Sequence, residues 1–496
     1  MPNHPKPSVF QRNMFGVMFA LAGIVVLAKA VVQGQGMQDI VAEMGNDDIM
    51  RLTVVRDLIA GQGWFDMTQY RIVPPEGLSL HWSRYIDAGI AAIVLLLSWF
   101  VPMDVAEQLA VTIWPTLIML TILCVVGFGT RRVFGVIPAV FAMMSLVLWP
   151  LTGSVHVSAG SIDHHNVQFL LSVVLVFAVI WPPAVKSAGI VAGLAAAFSL
   201  AIGLENLLFI VVAGLILVGR SAADHAGAVH RLVGFSLALG FGAIVFWLGQ
   251  APPVSRFAPV CDQLGTPILS LVWVAVIASL APLALGGRAS GILKTALTVV
   301  LVALGLALAW PLLGPCIAGP YSNLSEDLRT YISTNITEAQ PAIAYAIASP
   351  IPMIIFTVPV VAALVLGTRT WLEERDTALG LLLIFAVFGF AVIFYQMRTV
   401  IMVAAVVPMI GGVVMARLLA GYLADRDATR GLLMIIAAAT FIAPTLFVLV
   451  LSPVLPKPEE KTSSASACRS YASLQSLNAA PAAVSYTHLT LPTRCH

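Results

Sequence analysis

The residues able to do chemistry stand in three polar knots between apolar runs: Asn46-Asp47-Asp48, Gly160-Ser161-Ile162-Asp163-His164-His165, and Thr337-Glu338. An acid and two imidazoles held at a membrane face are costly to keep there without a use. Asp163 and His165 are two apart. In an extended loop such residues project to one side, and a carboxylate beside an imidazole makes a small metal site. His164 then points the other way. A hydrogen-bonded structural histidine explains the same motif, and that alternative stays open. Asp47 and Asp48 are adjacent and cannot both face one point. One is expected as ligand or base, the other behind it or capping a helix. Arg51 and Arg56 follow on that helix and face either a phosphate or solvent. Glu338 is a lone acid just before an apolar run. Arg398, in FYQMRTVIMV, suits a lipid phosphate or a pyrophosphate leaving group, and serves equally as an interfacial anchor. Glu205, in IGLENLLF, marks a tight break between two runs, with no role assigned beyond the turn.

The elements that must position these knots are mostly hydrocarbon. Of 496 residues, 59% are hydrophobic and 10% charged, with a mean hydropathy of +0.95. A soluble domain carries about 25% charged residues, so this is a polytopic, all-α membrane protein. No basic patch points to nucleic acid. The five cysteines show no CxxC spacing, which leaves zinc ribbons and thioredoxin chemistry unsupported. A bond between Cys261 and Cys316, in two outer loops, is one open alternative.

Apolar runs of membrane-spanning length fall near 14–33, 105–128, 134–153, 166–182, 187–203, 204–219, 231–249, 267–286, 291–312, 349–367, 378–395, 399–420 and 431–453, about thirteen in all. The run 88–101 is too short. Counting it as a span would put Arg131 and Arg132 outside. Leaving it out puts the short basic loops inside, at Arg131/Arg132, Lys186, Arg220/Arg231, Arg288/Lys294, Arg369/Arg375 and Arg417/Arg426/Arg430. We therefore read it as a re-entrant or interfacial helix. Residues 1–13 are then cytoplasmic and 14–453 form the transmembrane domain. The loops 34–103, 154–165 and 313–348 share the external face with all three knots. Residues 454–483 are expected to begin an external region that is cut short. Residues 484–493, VSYTHLTLPT, look like a translated sequencing adapter, so 484–496 are set aside.

Taken together, these loops resemble the oligosaccharyltransferase catalytic-subunit family, a branch of the GT-C membrane glycosyltransferases, in its archaeal and bacterial form. The family's first-loop acidic motif matches Asn46-Asp47. Its Arg-x-x-x-Gly-x-x-Asp-x-Asp/Glu motif matches the ten residues from His156 to His165, ending Asp163-His164-His165. Its Ser/Thr-Val/Ile-x-Glu motif matches Asn335-Ile336-Thr337-Glu338, followed by Gln340-Pro341. Its outer arginine before a late span matches Arg398. The resemblance covers nearly all of 14–453. His156 stands where the family has Arg, Asn335 where it has Ser or Thr, and no Trp-Trp-Asp motif follows the last span.

The resemblance implies a GT-C fold with about thirteen helices and long first and fifth external loops. It also implies an enzyme in the inner or plasma membrane with its site on the external or periplasmic face. The donor would be a polyprenyl-phosphate or -pyrophosphate sugar, and transfer would invert the anomeric carbon. Asp47, Asp163 and His165 would hold a divalent cation, Mn²⁺ or Mg²⁺. Arg398 would grip the donor phosphate and Glu338 orient the acceptor, with Asp47 as base. Asp48, His156 and His164 would stand behind the ligands. The acceptor is a protein, glycan or lipid, left open between an asparagine and a hydroxyl. The lipid tail would lie among the spans, against membrane lipids. The rivals are a transporter or flippase of lipid-linked sugars and a structural membrane subunit.

Overall fold

The computed structural model describes residues 8–38, 40–182, 185–286, 289–317, 319 and 325–451. Arg288 and the tail from 452 onward lie outside the described residues. Backbone in hydrocarbon must satisfy its own hydrogen bonds, so the apolar runs fold as helices. In chain order the main ones are α1 (Val9–Gly34), α2 (Asn46–Ile59), α3 (Arg84–Leu97), α4 (Met103–Phe134), α5 (Val136–Leu148), α6 (His165–Ile180), α7 (Ala188–Ile202) and α8 (Leu207–Ala222). There follow α9 (Ala228–Gln250), α10 (Thr266–Ser279), α11 (Gly291–Leu313), α12 (Ala342–Ala348), α13 (Pro350–Glu374), α14 (Thr377–Val392), α15 (Val407–Asp425) and α16 (Ala428–Phe441). The sheet content described is one antiparallel ribbon, Thr68–Gln69 against Leu78–Ser79.

Seven helices are long and apolar enough to cross a membrane: α1, α4, α9, α10 with its continuation to Leu285, α11, α13 and α15. Six shorter apolar helices, α5 to α8, α14 and α16, accompany them. Both groups follow the expected runs in order, and the chain is a multi-pass, all-α membrane protein. Several boundaries differ from expectation, these three among them. The helix expected over 88–101 begins at Arg84, because Arg84 and Asp87 are buried beside each other. The run 399–420 breaks into Val400–Ala404 and α15, whose first turn carries Pro408. The run 134–153 ends at Leu148, and Pro150 opens a separate turn.

Small residues let the helices approach closely. A Cβ on Gly189 or Gly193 of α7 would strike the α9 backbone at Arg231 and Phe235. One on Gly412 of α15 would stand 3.0 Å from the Ala142 nitrogen of α5. A large buried core runs through this bundle. A second, smaller core joins Leu52 and Val55 of α2, Ile86, Ile90 and Val94 of α3, Val111 of α4, and Ile162. Each such side chain contributes about 1.5–3 kcal/mol on burial. That second core seats the first loop on the bundle.

The two ends of the bundle differ. At one end Arg131 lies over Phe15 of α1, Lys294 pairs with Asp224, Arg231 donates to Pro182 and Val185 carbonyls, and Arg417 pairs with Glu373 and Glu374. These are the basic loops. At the other end of α1, Gln33 hydrogen-bonds Ser158 and Ala159 of the second knot. Cys261 and Cys316 are bonded there, and Asp262 lies 3.9 Å from His81. Cys124 is a free cysteine.

Candidate active site

The second knot is shaped by its neighbours more than by its own sequence. Gly160 has φ +88°, and a Cβ there would stand 3.0 Å from Met44 Cγ. Its N–H donates to Val111 O of α4 at 2.9 Å. Asp48 then reaches across from α2. Its Oδ1 accepts the N–H groups of both Ile162 and Asp163, each at 2.8 Å. The N-cap of α2 is Gly45, so neither aspartate caps that helix. Burial pushes Asp48 up to about 6, although those two N–H groups pull the other way.

Asp163 lies in a bend and His165 opens α6, so an extended loop is not what brings them together. Ligating atoms of Asp163, His164 and His165 nonetheless lie within 4.8 Å of one another. His165 Nε2 is 3.4 Å from Asp163 Oδ2. His164 is not among the residues lining the cavity that His165 lines, and it is fully engaged. Nδ1 meets Asp163 Oδ1 at 2.8 Å and Nε2 meets Glu205 Oε1 at 2.7 Å. Burial opposes charge on that ring, but Glu205 and Asp163 outweigh it and hold the imidazolium up at about 10.

Arg51 corrects a sequence expectation. It faces neither phosphate nor solvent but is fully buried. It donates to Asp87 at 2.8 Å and to Asp163 Oδ1 through Nε and NH2 at 3.1 and 2.8 Å. Trp82 covers it at 4.5 Å. Arg56, by contrast, faces solvent as one of the two expected alternatives, and pairs there with Glu107. Although burial raises it, the Asp163 carboxyl is held well below its usual range by His164, Arg51 and His165.

The third knot arrives from the far end of the sequence. Met397 N–H donates to Gln340 O at 2.8 Å and Ala342 N–H to Ile393 O at 3.0 Å. These bonds lay the Glu338 and Arg398 segments side by side. Arg398 NH2 donates to Glu338 Oε1 at 3.0 Å, and Glu338 Oε2 is 3.7 Å from His165 Nε2.

Asp47, Asp48, His156, Asp163, His165 and Glu338 line one open cavity of about 200 Å³. Asp47 is raised by burial and then by Asp163 and Glu338. Carboxylates are therefore crowded on one another there, the condition a cation relieves. Oxygen donors with one imidazole are a set that Mg²⁺ and Mn²⁺ accept. The residues present fit a divalent ion. The His156 and His165 ring centroids are 5.1 Å apart. Burial, then the facing histidines, hold His156 down at about 3, so it is neutral where the resembled family carries a cation.

Asp47, Asp163, His165 and Glu338 thus converge on one cavity, and Arg398 reaches it through Glu338. Sequence reasoning left out Arg51, Asp87 and Glu205 as parts of this assembly. For Glu205 the signal was present: a lone acid between two apolar runs.

No family model and no curated protein sequence matches the chain. Solved structures do. The oligosaccharyltransferase AglB of Archaeoglobus fulgidus, in complex with an inhibitory peptide and a dolichol-phosphate, superposes with TM-score 0.65 at 13% identity, over 92% of this chain and 58% of that one. The A. fulgidus enzyme in complex with Zn and sulfate gives 0.61 at 13%, over 90% and 54%. A form tethered to an acceptor peptide containing the NVT sequon gives 0.59 at 12%, over 89% and 55%. The chain spans under three fifths of the length of these structures. At such identity the likeness speaks to architecture: this chain shares the membrane fold of these oligosaccharyltransferase structures.

Proposed function

We propose that the chain is a membrane glycosyltransferase. It moves a sugar or oligosaccharide from a polyprenyl-phosphate or -pyrophosphate donor to an acceptor at the outer face of the inner or plasma membrane, with inversion at the anomeric carbon. One observation carries this reading. Acids and a histidine from loops hundreds of residues apart meet in a single cavity, on a fold shared with solved oligosaccharyltransferases.

Asp47, Asp163 and His165 are the residues that would hold a divalent ion, Mn²⁺ or Mg²⁺. When bound, that ion supplies charge stabilisation for the departing phosphate. The chain's own groups do the rest. Arg398 presents donors to phosphate oxygens, displacing its contact with Glu338. Glu338, released, accepts a hydrogen bond from the acceptor and orients it. Asp47, in the cavity lining, takes the acceptor's proton if that acceptor is a hydroxyl. Neutral His156 adds bulk without charge beside His165. The solved relatives hold a dolichol-phosphate and a sequon peptide, so a lipid-linked donor and a peptide asparagine are the first pair to try. Glycan and lipid acceptors follow.

The test is turnover of a lipid-linked sugar by purified protein, stripped with EDTA and resupplied with Mn²⁺. Asp163→Ala should abolish metal-dependent turnover while the protein remains monodisperse. Equal rates for Asp163→Ala and parent would overturn the reading. Translocation without consumption would favour the carrier.

A further inference from the structure

We propose that Glu205, on the turn between α7 and α8, is a positioning residue for Asp163. It acts through His164, and this rests on the metal-dependent reading above. The geometry sets the roles. Three contacts converge on one oxygen of Asp163: Arg51 Nε at 3.1 Å, Arg51 NH2 at 2.8 Å and His164 Nδ1 at 2.8 Å, all to Oδ1. Oδ2 is left on the side of His165. Asp163 thus offers the cavity a single oxygen, aimed by groups behind it.

His164 can aim Asp163 only if its own ring is fixed. Glu205 fixes it, with Oε1 at 2.7 Å from Nε2. Glu205 is itself held by Gln168 Nε2, which lies 3.2 Å from Oε2 and also donates to Ser199 and Gly203 carbonyls. Gln168 is tied in turn to Asn206, whose Nδ2 donates to Gln168 Oε1 at 2.8 Å. Every side chain in this line is buried or nearly so. Gly203 leaves the room it needs, since a Cβ there would run into Glu205 Oε2. The chain Gln168–Glu205–His164–Asp163 therefore links the first turn of α6 and the α7–α8 turn to one carboxylate oxygen. A carboxylate behind a histidine is how proteins orient a ligating group, and loss of such a partner costs 10- to 100-fold in metal affinity. The residue in line with the cavity here is the aspartate, so the histidine acts as the lever.

The experiment is Mn²⁺ binding by electron paramagnetic resonance on the purified, EDTA-stripped full chain. Turnover is measured alongside. Glu205→Ala should weaken Mn²⁺ binding about tenfold or more. Glu205→Gln keeps an oxygen for Nε2 and should stay within about threefold of the parent. Equal Mn²⁺ affinity for Glu205→Ala and parent would overturn the proposal while leaving the metal-dependent reading intact. Failure of the parent itself to bind Mn²⁺ would overturn both. If Glu205→Ala does not fold, Gly203→Ala takes its place. It crowds the same carboxylate without removing it and should weaken Mn²⁺ binding in the same direction. A Gly203→Ala protein with parental affinity would count against the proposal.

Discussion

Arg51→Met is the sharpest test of how the site is built. The guanidinium is fully buried and ion-paired at 2.8 Å to both Asp87 and Asp163. Methionine fills most of the stem volume and removes the charge. Asp87 is then left with Arg84 alone, at 3.5 Å and poorly aligned, and Asp163 keeps His164. Stranding a buried carboxylate by removing its partner costs about 3–5 kcal/mol, a hundredfold or more in the folded ratio at about 1.4 kcal/mol per tenfold. The double variant Arg51→Met/Asp87→Asn removes both members of one pair and should recover at least half of the loss. Surface pairs such as Arg369–Glu373 serve as controls and should change stability by about 1 kcal/mol or less. Mixed-micelle SDS titration followed by far-ultraviolet circular dichroism reads these differences. If Arg51→Met is as stable as the parent, or if adding Asp87→Asn makes matters worse, the buried pair is not what holds α2 to α3 and the second knot.

Other outcomes follow from the same geometry. His164 is held at about 10 against an unfolded value near 6.5. Between those values the folded state keeps a proton that the unfolded state has lost. The His164 contribution to metal-free stability should therefore be complete below pH 6.5 and fall as pH rises through 10, and Glu205→Gln should flatten that alkaline decline in melting curves across pH. Gly160→Ala forces a left-handed backbone and crowds Met44. It should cost about 1–2 kcal/mol and lower turnover by displacing Asp163, measured as a melting shift and a rate. Arg398→Lys keeps the charge but loses the fork. It should raise the KM for a lipid-linked donor more than it lowers kcat, as steady-state kinetics would show.

Much of the site was legible because its residues are out of place by composition. Asp47, Asp163, His165 and Glu338 are polar groups at the ends of long apolar runs, and their cost made them visible. The spans were legible for the complementary reason. What sequence could not give was the partner of each charge. Arg51 looked like a ligand for phosphate or water because a helix surface does not say which face is buried. Asp87 stands just before the short apolar run 88–101, and only packing of α3 against α2 turns it inward. Glu205 was noticed and left without a role, since the 41 residues separating it from His164 carry no local pattern. Local reasoning also gave the wrong cause for a right neighbourhood. Asp163 and His165 meet through a bend and a helix start, held by Asp48 and Gly160, rather than through an extended strand.

The Cys261–Cys316 bond has a consequence for biogenesis. It closes a ring around α10 and α11, at the bundle end where Asp262 approaches His81. Outside hyperthermophiles, such bonds form and persist mainly in oxidising compartments. The bundle thus carries its own record of orientation, independent of where its lysines and arginines fall. Oxidised cysteines in protein taken directly from cells would mean that the cavity opened on the exported side as the chain matured. Reduced thiols there would mean that it opened toward the reducing interior.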